Sequence, residues 1–349
     1  MLKILVGSRV RLEYFCEAKG FKNLQPEWNR LVQSSYANTV FSTWEWQMTW
    51  WGHFAAGELW LGAARQDDGT LVGIFPCYRH ISDSGERALR LVGCADVADY
   101  LDIIVAKGQE SSVYQAFLDA LSSESVPAWD MVDLCNIPEA SPTRTMLPEM
   151  ARAAGFQVVV RQETVCPLIE LPATWEAYLM SLDKKQRHEI RRKLRRAETE
   201  AKLEWYIVDK RHHLREEVET FLYLHRLSRR DKAKFMDHHM SAFFHDLARV
   251  MLEAGWLQLM HLKLDGQIEA SLLSFDYGDA IMLYNSGYNP MGHPHLSPGI
   301  VLTAICIRHA IALQKKVFDF LRGDEDYKYR FGARDTRIYR VILSQRALP

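Results

Sequence analysis

Three apolar segments joined by tight turns constrain the fold of this chain more than any other feature. The segments are Trp256–Leu264, Ile268–Tyr277 and Ala280–Gly287. The turns between them are Asp265-Gly266 and Gly278-Asp279, and both residue types tolerate the positive φ angles that two-residue hairpin turns require. The pattern therefore predicts an antiparallel meander, followed by a helix over 299–315 and a strand over 317–321.

The first half of the chain shows a similar order of segments. Apolar runs again flank an Asp-Gly dipeptide, and helical and strand-like segments then alternate, over 59–65, 71–78, 111–123, 131–135, 143–154 and 156–160. A chain of 349 residues exceeds one ordinary hydrophobic core. We therefore predict an α/β protein of α+β order with two related domains, 1–165 and 166–349. Each domain is expected to hold a mixed, largely antiparallel sheet flanked by helices.

Composition excludes several classes of protein. The hydrophobic and charged fractions, 48% and 25%, are typical of a soluble globular chain. The formal net charge of -1 gives no general attraction to nucleic acid or to anionic membranes. The N-terminal residues do not match a secretory signal, and no window approaches the ~18 uninterrupted apolar residues of a membrane-spanning helix.

Cysteine and histidine positions indicate neither a disulfide framework nor a metal site. The six cysteines are scattered without a Cys-x-x-Cys pair, so we predict reduced, buried thiols and a cytoplasmic location. His212-His213 and His238-His239 are adjacent pairs, and neighbouring residues point to different sides of a helix. We therefore predict no bound metal.

The densest group of ionisable residues follows the predicted strand 317–321. An arginine, a glycine and three consecutive acids come directly after it. Open α/β sheets bind ligands beyond the carboxyl ends of their strands, and neighbouring acids raise one another's pKa. Asp324 and Glu325 are therefore candidate catalytic bases, and a solvated turn between two strands is the alternative. Asp319 either reaches the same cleft or pairs with Arg322.

A second group of charges lies on a predicted helix, Lys184–Lys202. Eight basic residues fall within its first thirteen positions, with a single acid among them. Like charges one helical turn apart repel each other, so a helix face that keeps them favours an anionic ligand. Arg187 and Arg191 are predicted to contact that ligand, and a merely solvated helix face is the alternative.

Three motifs resemble those of GNAT acyltransferases. They are Phe41-Ser42-x-Trp44-x-Trp46, the basic helix Lys184–Arg196, and Asp319-Phe320-Leu321-Arg322-Gly323-Asp324 running into Tyr327–Gly332. Together they are similar to the CelD-like acetyltransferase family, and the two-domain order resembles Fem-type transferases. The resemblance is strongest over about 170–332. It implies a double-GNAT architecture, acetyl-CoA or another acyl-CoA as co-substrate, and a role in polysaccharide biosynthesis.

The resemblance also implies positions for the co-substrate and the acceptor. GNAT enzymes line the acyl channel with the last meander strand and bind phosphates where the next helix begins, which here means Tyr284, Asn285, Ser297, Gly299 and Ile300. Tyr327 is expected, by position, to serve as an acid or oxyanion donor. The acceptor contacts expected besides the basic helix are Tyr288, Arg322, Lys328 and Arg330.

One segment departs from the GNAT pattern. Ordinary members begin the cofactor helix with Arg/Gln-x-x-Gly-x-Gly/Ala, whose glycines let backbone N–H groups approach a pyrophosphate. The matching segment here, His295–Ile300, has one glycine, and its Pro298 lacks an N–H donor. A donor other than acyl-CoA therefore stays open, and a plain helix cap is the alternative to a ligand site.

The leading hypothesis is an acyltransferase that moves an acetyl or longer acyl group from acyl-CoA to an amine or hydroxyl of a small-molecule or saccharide acceptor. The first alternative is a Fem-like transferase that uses aminoacyl-tRNA, which the basic helix and the altered cofactor segment favour. The second alternative is a non-catalytic GNAT-derived binding module. In that module Asp324 and Glu325 would pair with Arg322 and Arg330.

Overall fold

The chain forms two compact units. The computed structural model describes residues 10–345 except positions 56, 95, 96 and 124. The first unit contains the residues up to Thr164 and those from Arg337 onward, and the second contains Val165–Thr336. The C-terminal segment thus belongs to the first unit, whereas the sequence placed it in the second domain.

The first unit is a mixed sheet with helices. Its elements before position 155 are β1 (Arg11–Phe15), α1 (Lys19–Gln33), α2 (Trp44–Phe54), β2 (Glu58–Arg65), β3 (Leu71–Ile81), β4 (Arg87–Leu91), β5 (Ile104–Val105), α3 (Glu110–Leu121), β6 (Met131–Pro138) and α4 (Pro142–Ala153). The strand order is β1-β2-β3-β4-β6, and β5 pairs with β3. Trp46 and Trp50 are buried, so part of the tryptophan motif belongs to the hydrophobic core.

The rest of the chain supplies the second unit and the closing strand of the first. Its elements are β7 (Gln157–Glu170), α5 (Trp175–Ser181), α6 (Lys184–Glu200), β8 (Leu203–Ile207), α7 (Leu214–Ser228), α8 (Arg230–Phe235), α9 (His238–Glu253), β9 (Leu257–Leu264), β10 (Gln267–Tyr277), β11 (Ala280–Tyr288), α10 (Pro298–Ala312), β12 (Val317–Asp319), α11 (Asp326–Arg330) and β13 (Arg334–Ser344). The second unit has the strand order β7-β12-β11-β10-β9-β8. β13 pairs antiparallel with β6, from Ile338 opposite Pro138 to Ser344 opposite Met131. This pairing explains why the C-terminal segment belongs to the first unit.

The predicted meander is present as β9, β10 and β11, which are antiparallel neighbours. Its turns contain Asp265 with φ of 51°, Gly266 with 82° and Gly278 with 55°. These angles lie in the left-handed region, which glycine and aspartate adopt at low cost. The turn dipeptides therefore determine where the three strands begin and end.

Helices cover both faces of the second unit's sheet. On one face, residues of α5, α6 and α10 pack with buried strand residues such as Met260, Leu262 and Leu272. On the other face, Phe221 of α7 stacks on Phe244 of α9 with 5.9 Å between ring centroids. The sheet is therefore buried on both sides, which is why its strands are nearly continuous apolar runs.

One stretch of the described chain, 294–312, is long and apolar enough to cross a membrane by length and composition, with a mean hydropathy of 1.3. It contains α10, and 61% of it is buried inside the protein. A helix that is apolar on all sides is expected when it lies in a core. Packing in the second unit therefore accounts for this composition.

The cysteines differ from the predicted set of reduced, buried thiols. Cys94 and Cys135 form a disulfide, and Cys16 is exposed. The cysteines that are both free and buried are Cys77, Cys166 and Cys306. The pairing could not be read from spacing, because the two positions are 41 residues apart and are brought together by the parallel pairing of β4 with β6.

Candidate active site

Two parallel strands of the second unit diverge and leave a gap between them. β11 and β12 pair over three residues, from Ala280 opposite Val317 to Met282 opposite Asp319. The chain after β12 stays beside β7, because Phe320 N–H donates to Pro167 O at 2.9 Å and Gly323 N–H to Val165 O at 3.0 Å. β11 continues to Tyr288. We call the gap between β11 residues 283–288 and loop 320–325 the fork.

A β-bulge shapes the β11 side of the fork. Leu273 lies opposite Asn285 and Ser274 lies opposite Leu283, so Tyr284 is an extra residue in β11. The Tyr284 ring stacks on Phe244 at 5.7 Å between centroids. Tyr284 therefore packs on α9, and its position along an acyl channel stays a prediction. A bulge depends on strand register, and periodicity does not reveal it.

A buried histidine fixes the next residue of β11. His225 of α7 places Nε2 3.1 Å from Oδ1 of Asn285. Burial, the largest effect, and the nearby Lys232 lower the pKa of His225 to about 4, so the ring is neutral at pH 7. Asn285 was expected to contact the co-substrate, and the structure uses its side-chain oxygen to hold α7 against β11.

A lysine that sequence reasoning missed lies inside the fork. Nζ of Lys232, on α8, is 2.6 Å from the carbonyl oxygen of Ser286 and 3.3 Å from its Oγ. Burial lowers the pKa of Lys232 to about 8, and the charge of Arg229 adds to that effect, whereas Glu325 and Asp231 oppose it. Every residue of Arg229–Lys234 except Ala233 is charged, so nothing in the sequence distinguishes this lysine from its neighbours.

The loop side of the fork is built around a second lysine. Lys328 is 2% exposed, and its Nζ lies 3.1, 2.9 and 3.0 Å from the carbonyl oxygens of Leu321, Arg322 and Gly323. The same nitrogen is 2.9 Å from a carboxylate oxygen of Glu325. An ammonium group has three N–H donors, so Lys328 is fully engaged by its own loop. This corrects the prediction that Lys328 contacts the acceptor.

The predicted acids occupy three different environments. Asp319 is buried and accepts the Leu321 N–H at 2.7 Å, so it stabilises the turn that leaves β12. Asp324 is exposed. Glu325 has a side chain that is 51% exposed and is close enough to Lys232 to affect its pKa. Of the three, Glu325 is the acid that the structure brings to the fork.

The aromatic and basic residues after the acids form the helical turn α11, not an extended strand. The Tyr327 ring meets the buried Phe320 ring edge-on at 5.9 Å between centroids, and burial raises the pKa of Tyr327. Its hydroxyl therefore stays protonated at neutral pH. Arg330 is exposed and Arg322 is half-buried, and their roles as acceptor contacts stay predictions.

The N-terminus of α10 offers a site for an anion. Ser297 precedes the helix with φ of 54°, and its Oγ accepts a hydrogen bond from Lys193 Nζ at 2.7 Å. The first-turn N–H groups of Gly299 and Ile300 lack partners within the helix, and the first turn contains no acid. Backbone donors, the helix dipole and an ammonium group thus converge there. A methyl group on Gly299 would lie 3.6 Å from the Tyr288 ring, so this site adjoins the end of β11.

The basic helix α6 reaches this site through Lys193. Arg187 is half-buried and lies 3.5 Å from the Leu182 carbonyl oxygen, and Arg191 is exposed. Arg192 pairs with Glu189. Lys193 therefore joins Arg187 and Arg191, the two residues predicted from the sequence, as a candidate contact for an anionic ligand.

The first unit also contains two parallel strands, β4 and β6, but another segment of the chain lies in the space beyond them. β4 and β6 are parallel from Ala88 opposite Met131 to Arg90 opposite Asp133. Beyond them, Asn136 Nδ2 donates to Ala98 O at 2.7 Å, and the backbone carbonyl oxygen of Asn136 accepts the Leu101 N–H at 3.0 Å. Both contact residues are buried, so the chain itself occupies the space.

The helix that follows in the first unit also lacks a free anion site. Glu110 stands in the first turn of α3, and its carboxylate accepts the Gly108 N–H at 2.9 Å. A negative side chain there repels a phosphate. Of the two units, the second therefore has both an open fork and an accessible helix N-terminus. Among the described residues, no group of three or more His, Cys, Asp or Glu side chains is arranged to hold a metal ion.

Comparison with known proteins agrees with this geometry. Residues 184–329 match the family model of the Acetyltransferase (GNAT) domain. This segment includes the fork, Lys232 and the α10 N-terminus. None of the proteins with curated functions matches the sequence. The matched segment lies within the second unit, which is therefore similar to a GNAT acetyltransferase domain over these residues.

Solved structures resemble most of the chain. FemX is 11% identical with a TM-score of 0.67, and the match covers 94% of this chain and 96% of FemX. L-PGS from Bacillus licheniformis is 10% identical with a TM-score of 0.56, covering 96% of this chain and 94% of that one. A C-terminal domain named for a lysylphosphatidylglycerol synthetase from Agrobacterium fabrum is 10% identical with a TM-score of 0.54, covering 95% and 93%. At such identities the likeness concerns the fold alone, and it confirms the predicted fold class.

Proposed function

We propose that the protein is an acyltransferase that moves an acetyl or longer acyl group from acyl-CoA to an amine or hydroxyl of a small-molecule or saccharide acceptor. The observation that supports this most is the open fork next to an anion site at the start of α10. A donor with phosphates at one end and a thioester at the other matches these two features. We propose a cytoplasmic location for the reaction. Polysaccharide or cell-envelope biosynthesis is the process that we favour, because of the CelD-like motifs.

The residues divide into donor and acceptor contacts. Phosphates of the donor bind the N–H groups of Gly299 and Ile300, with Ser297 and Lys193 beside them. The thioester then lies along β11 residues 283–288, whose edge toward β12 has lost its partner strand. Lys232 Nζ already donates to the Ser286 carbonyl oxygen on this edge, and backbone groups along an edge without a partner strand can pair with an amide-containing ligand. We assign Arg187, Arg191, Arg322 and Arg330 to the acceptor side.

Chemistry at the thioester requires a proton acceptor and a donor to the tetrahedral oxyanion. Two groups at the fork can accept a proton, Glu325 and Lys232, and the exposed Asp324 beside them is a third candidate. Tyr327, kept protonated by burial, is the candidate for the proton donor. Asp319 is assigned to shaping the turn, since its carboxylate already accepts the Leu321 N–H.

Replacing Lys193 with alanine is expected to weaken binding of CoA and acetyl-CoA. The variant loses a cation beside the phosphates, and a hydrogen bond to a charged group contributes about 1.5–3 kcal/mol, so a roughly tenfold rise in Kd is expected. Isothermal titration calorimetry with free CoA measures this directly. Arg195→Ala removes an exposed charge from the same helix and serves as the matched control. Equal Kd values for the two variants would refute the anion site.

A Fem-like transferase that uses aminoacyl-tRNA is the second candidate. Pro298 removes one donor from the first turn of α10, and α6 presents several exposed cations, both of which suit a larger anionic donor. Thermal-shift titration with acetyl-CoA, longer acyl-CoAs and free CoA distinguishes the candidates, since a ligand that binds the native state raises Tm. A dose-dependent rise supports acyl-CoA. No rise at millimolar ligand would favour the tRNA-dependent candidate, which gel-shift titration with aminoacyl-tRNA then tests.

A further inference from the structure

Lys232 occupies the open part of the fork. Ser286, whose carbonyl oxygen lies 2.6 Å from Lys232 Nζ, is four residues beyond Met282, where β12 leaves β11. The amine therefore lies on the strand edge along which the thioester is proposed to bind. The α8 helix that carries Lys232 follows α7 after one residue, Arg229, and α7 is anchored to β11 through His225 and Asn285.

The charges around Lys232 come from three elements. On α8 and the residue before it, Arg229 pairs with Asp231 at 3.0 Å. On α7, His225 is a neutral ring and Arg226 is directed to Met236 O at 3.1 Å. From the loop side, Glu325 contributes a negative charge. Burial outweighs these charges and lowers the pKa of Lys232 to about 8, so a large fraction of the amine is neutral at mildly alkaline pH.

The hydrogen bonds of Lys232 leave room for a proton. A neutral lysine amine has two N–H bonds and one lone pair. The two oxygens of Ser286, at 2.6 and 3.3 Å, can accept the two N–H groups. The lone pair is then the remaining position on nitrogen, and it is the position that accepts a proton from another molecule.

We propose that Lys232 is the general base of the second unit, an inference that rests on the proposed acyl transfer. Its neutral amine takes one proton from the acceptor's uncharged amine or hydroxyl group; an acceptor that arrives as an ammonium ion has first released one proton to water. The freed nitrogen or oxygen forms a bond to the thioester carbon, and the carbon–sulfur bond breaks. The resulting Lys232 ammonium returns the proton to the departing CoA thiolate, so the enzyme ends in its starting state.

Glu325 and Asp324 are less suited to this step. Lys328 holds the Glu325 carboxylate at 2.9 Å, and half of that side chain is exposed to water. Asp324 is exposed as well. A general base works best when its pKa lies near the operating pH and when it contacts the acceptor directly. Glu325 is instead a positioning residue, whose negative charge keeps the Lys232 pKa from falling further.

The first test measures Lys232 in the full-length wild-type protein, independently of turnover. Competitive labelling with acetic anhydride, read by mass spectrometry across pH, gives the reactivity and the pKa of individual lysines. We expect Lys232 to titrate near pH 8 and to become at least about fivefold less reactive under saturating acetyl-CoA. Lys234 is exposed on the same helix and should be unaffected by acetyl-CoA. Titration of Lys232 near the ordinary lysine value, or absence of protection, would overturn the proposal.

The second test compares Lys232→Met with Lys234→Met. Release of CoA thiol from acetyl-CoA is followed with 2-aminoethanol, which offers both an amine and a hydroxyl. We expect Lys232→Met to bind acetyl-CoA with a Kd within about threefold of wild type but to release thiol at least about 100-fold more slowly, the usual size of a general-base effect. In wild type and Lys234→Met the rate should rise with pH to a midpoint near 8.

These experiments distinguish a failure of the proposed acyl transfer from a failure of the role proposed for Lys232. If wild type does not bind acetyl-CoA at millimolar concentration, the proposed function fails whatever Lys232 does. If wild type binds acetyl-CoA and Lys232→Met keeps the wild-type rate and pH profile, the inference about Lys232 fails while the proposed function stands. Lys232→Arg, which keeps a permanent positive charge, should be as slow as Lys232→Met.

Discussion

Replacing Lys328 with methionine is expected to destabilise the second unit by about 3–5 kcal/mol, since each buried carbonyl left without a partner costs about 1–3 kcal/mol. The lysine is 2% exposed and bonds the carbonyl oxygens of Leu321, Arg322 and Gly323. Methionine fills the same volume but donates no hydrogen bond. Urea denaturation followed by far-UV circular dichroism measures the loss as a lower transition midpoint.

A matched lysine provides the control for this experiment. Lys316 has a side chain that is 75% exposed and pairs with the exposed Asp279, and such surface pairs contribute at most about 1 kcal/mol. Lys316→Met should therefore leave the midpoint nearly unchanged. Lys328→Arg should not restore stability, because a planar guanidinium cannot direct donors at three converging carbonyl oxygens. Wild-type stability in Lys328→Met would show that water replaces the lysine, and that the loop does not depend on it.

The meander could be predicted from sequence because its determinants are local. The Asp-Gly and Gly-Asp turns require positive φ, and the structure has φ of 51° at Asp265 and 82° at Gly266. The apolar strands between them are buried on both faces, so their composition alone identifies them. The same reasoning predicted a strand over 336–344 but could not assign it to the first unit, because its partner β6 is about 200 residues away in sequence.

The chemistry of the fork could be predicted only in part. The segment from Asp319 to Glu325 stood out because its charges follow an apolar strand. The sequence gives no sign, however, that Lys328 folds back onto its own loop, since that requires the helical turn α11. Lys232 and His225 were missed for a related reason. Each becomes distinctive through burial and through a contact with β11, Lys232 at Ser286 and His225 at Asn285, and neither property is visible in the sequence.

The choice between the two units likewise depends on tertiary contacts. Both contain a pair of parallel strands that run together for three residues. In the first unit, Asn136 holds the buried segment around Ala98 in the gap. Sequence identifies the related order of elements, but it does not show which gap the chain itself fills.

Replacing Gly287 with alanine is expected to cost both stability and activity. A Cβ atom there would lie 2.3 Å from the backbone nitrogen of His225 and 2.5 Å from the carbonyl carbon of Leu224. These are main-chain atoms of α7, which no rotamer change can move. Overpacking of this kind costs about 1–3 kcal/mol and occasionally more, and we expect the upper end of that range from thermal unfolding.

Relief of this collision requires a movement of α7, and we expect that movement to lower the catalytic rate. α7 must move away from β11, and Lys232 on the adjoining α8 moves with it, so the amine loses its position beside Ser286. A misplacement of about 1 Å can cost on the order of 100-fold in rate, so thiol release should fall by about that factor at temperatures where the variant is folded. Gly52→Ala is the matched control, because a methyl group added there, on α2 of the first unit, would meet nothing within 4 Å. A Gly287→Ala variant with the wild-type rate would show that the position of α7 does not determine that of the base, since the collision itself is unavoidable in the native backbone.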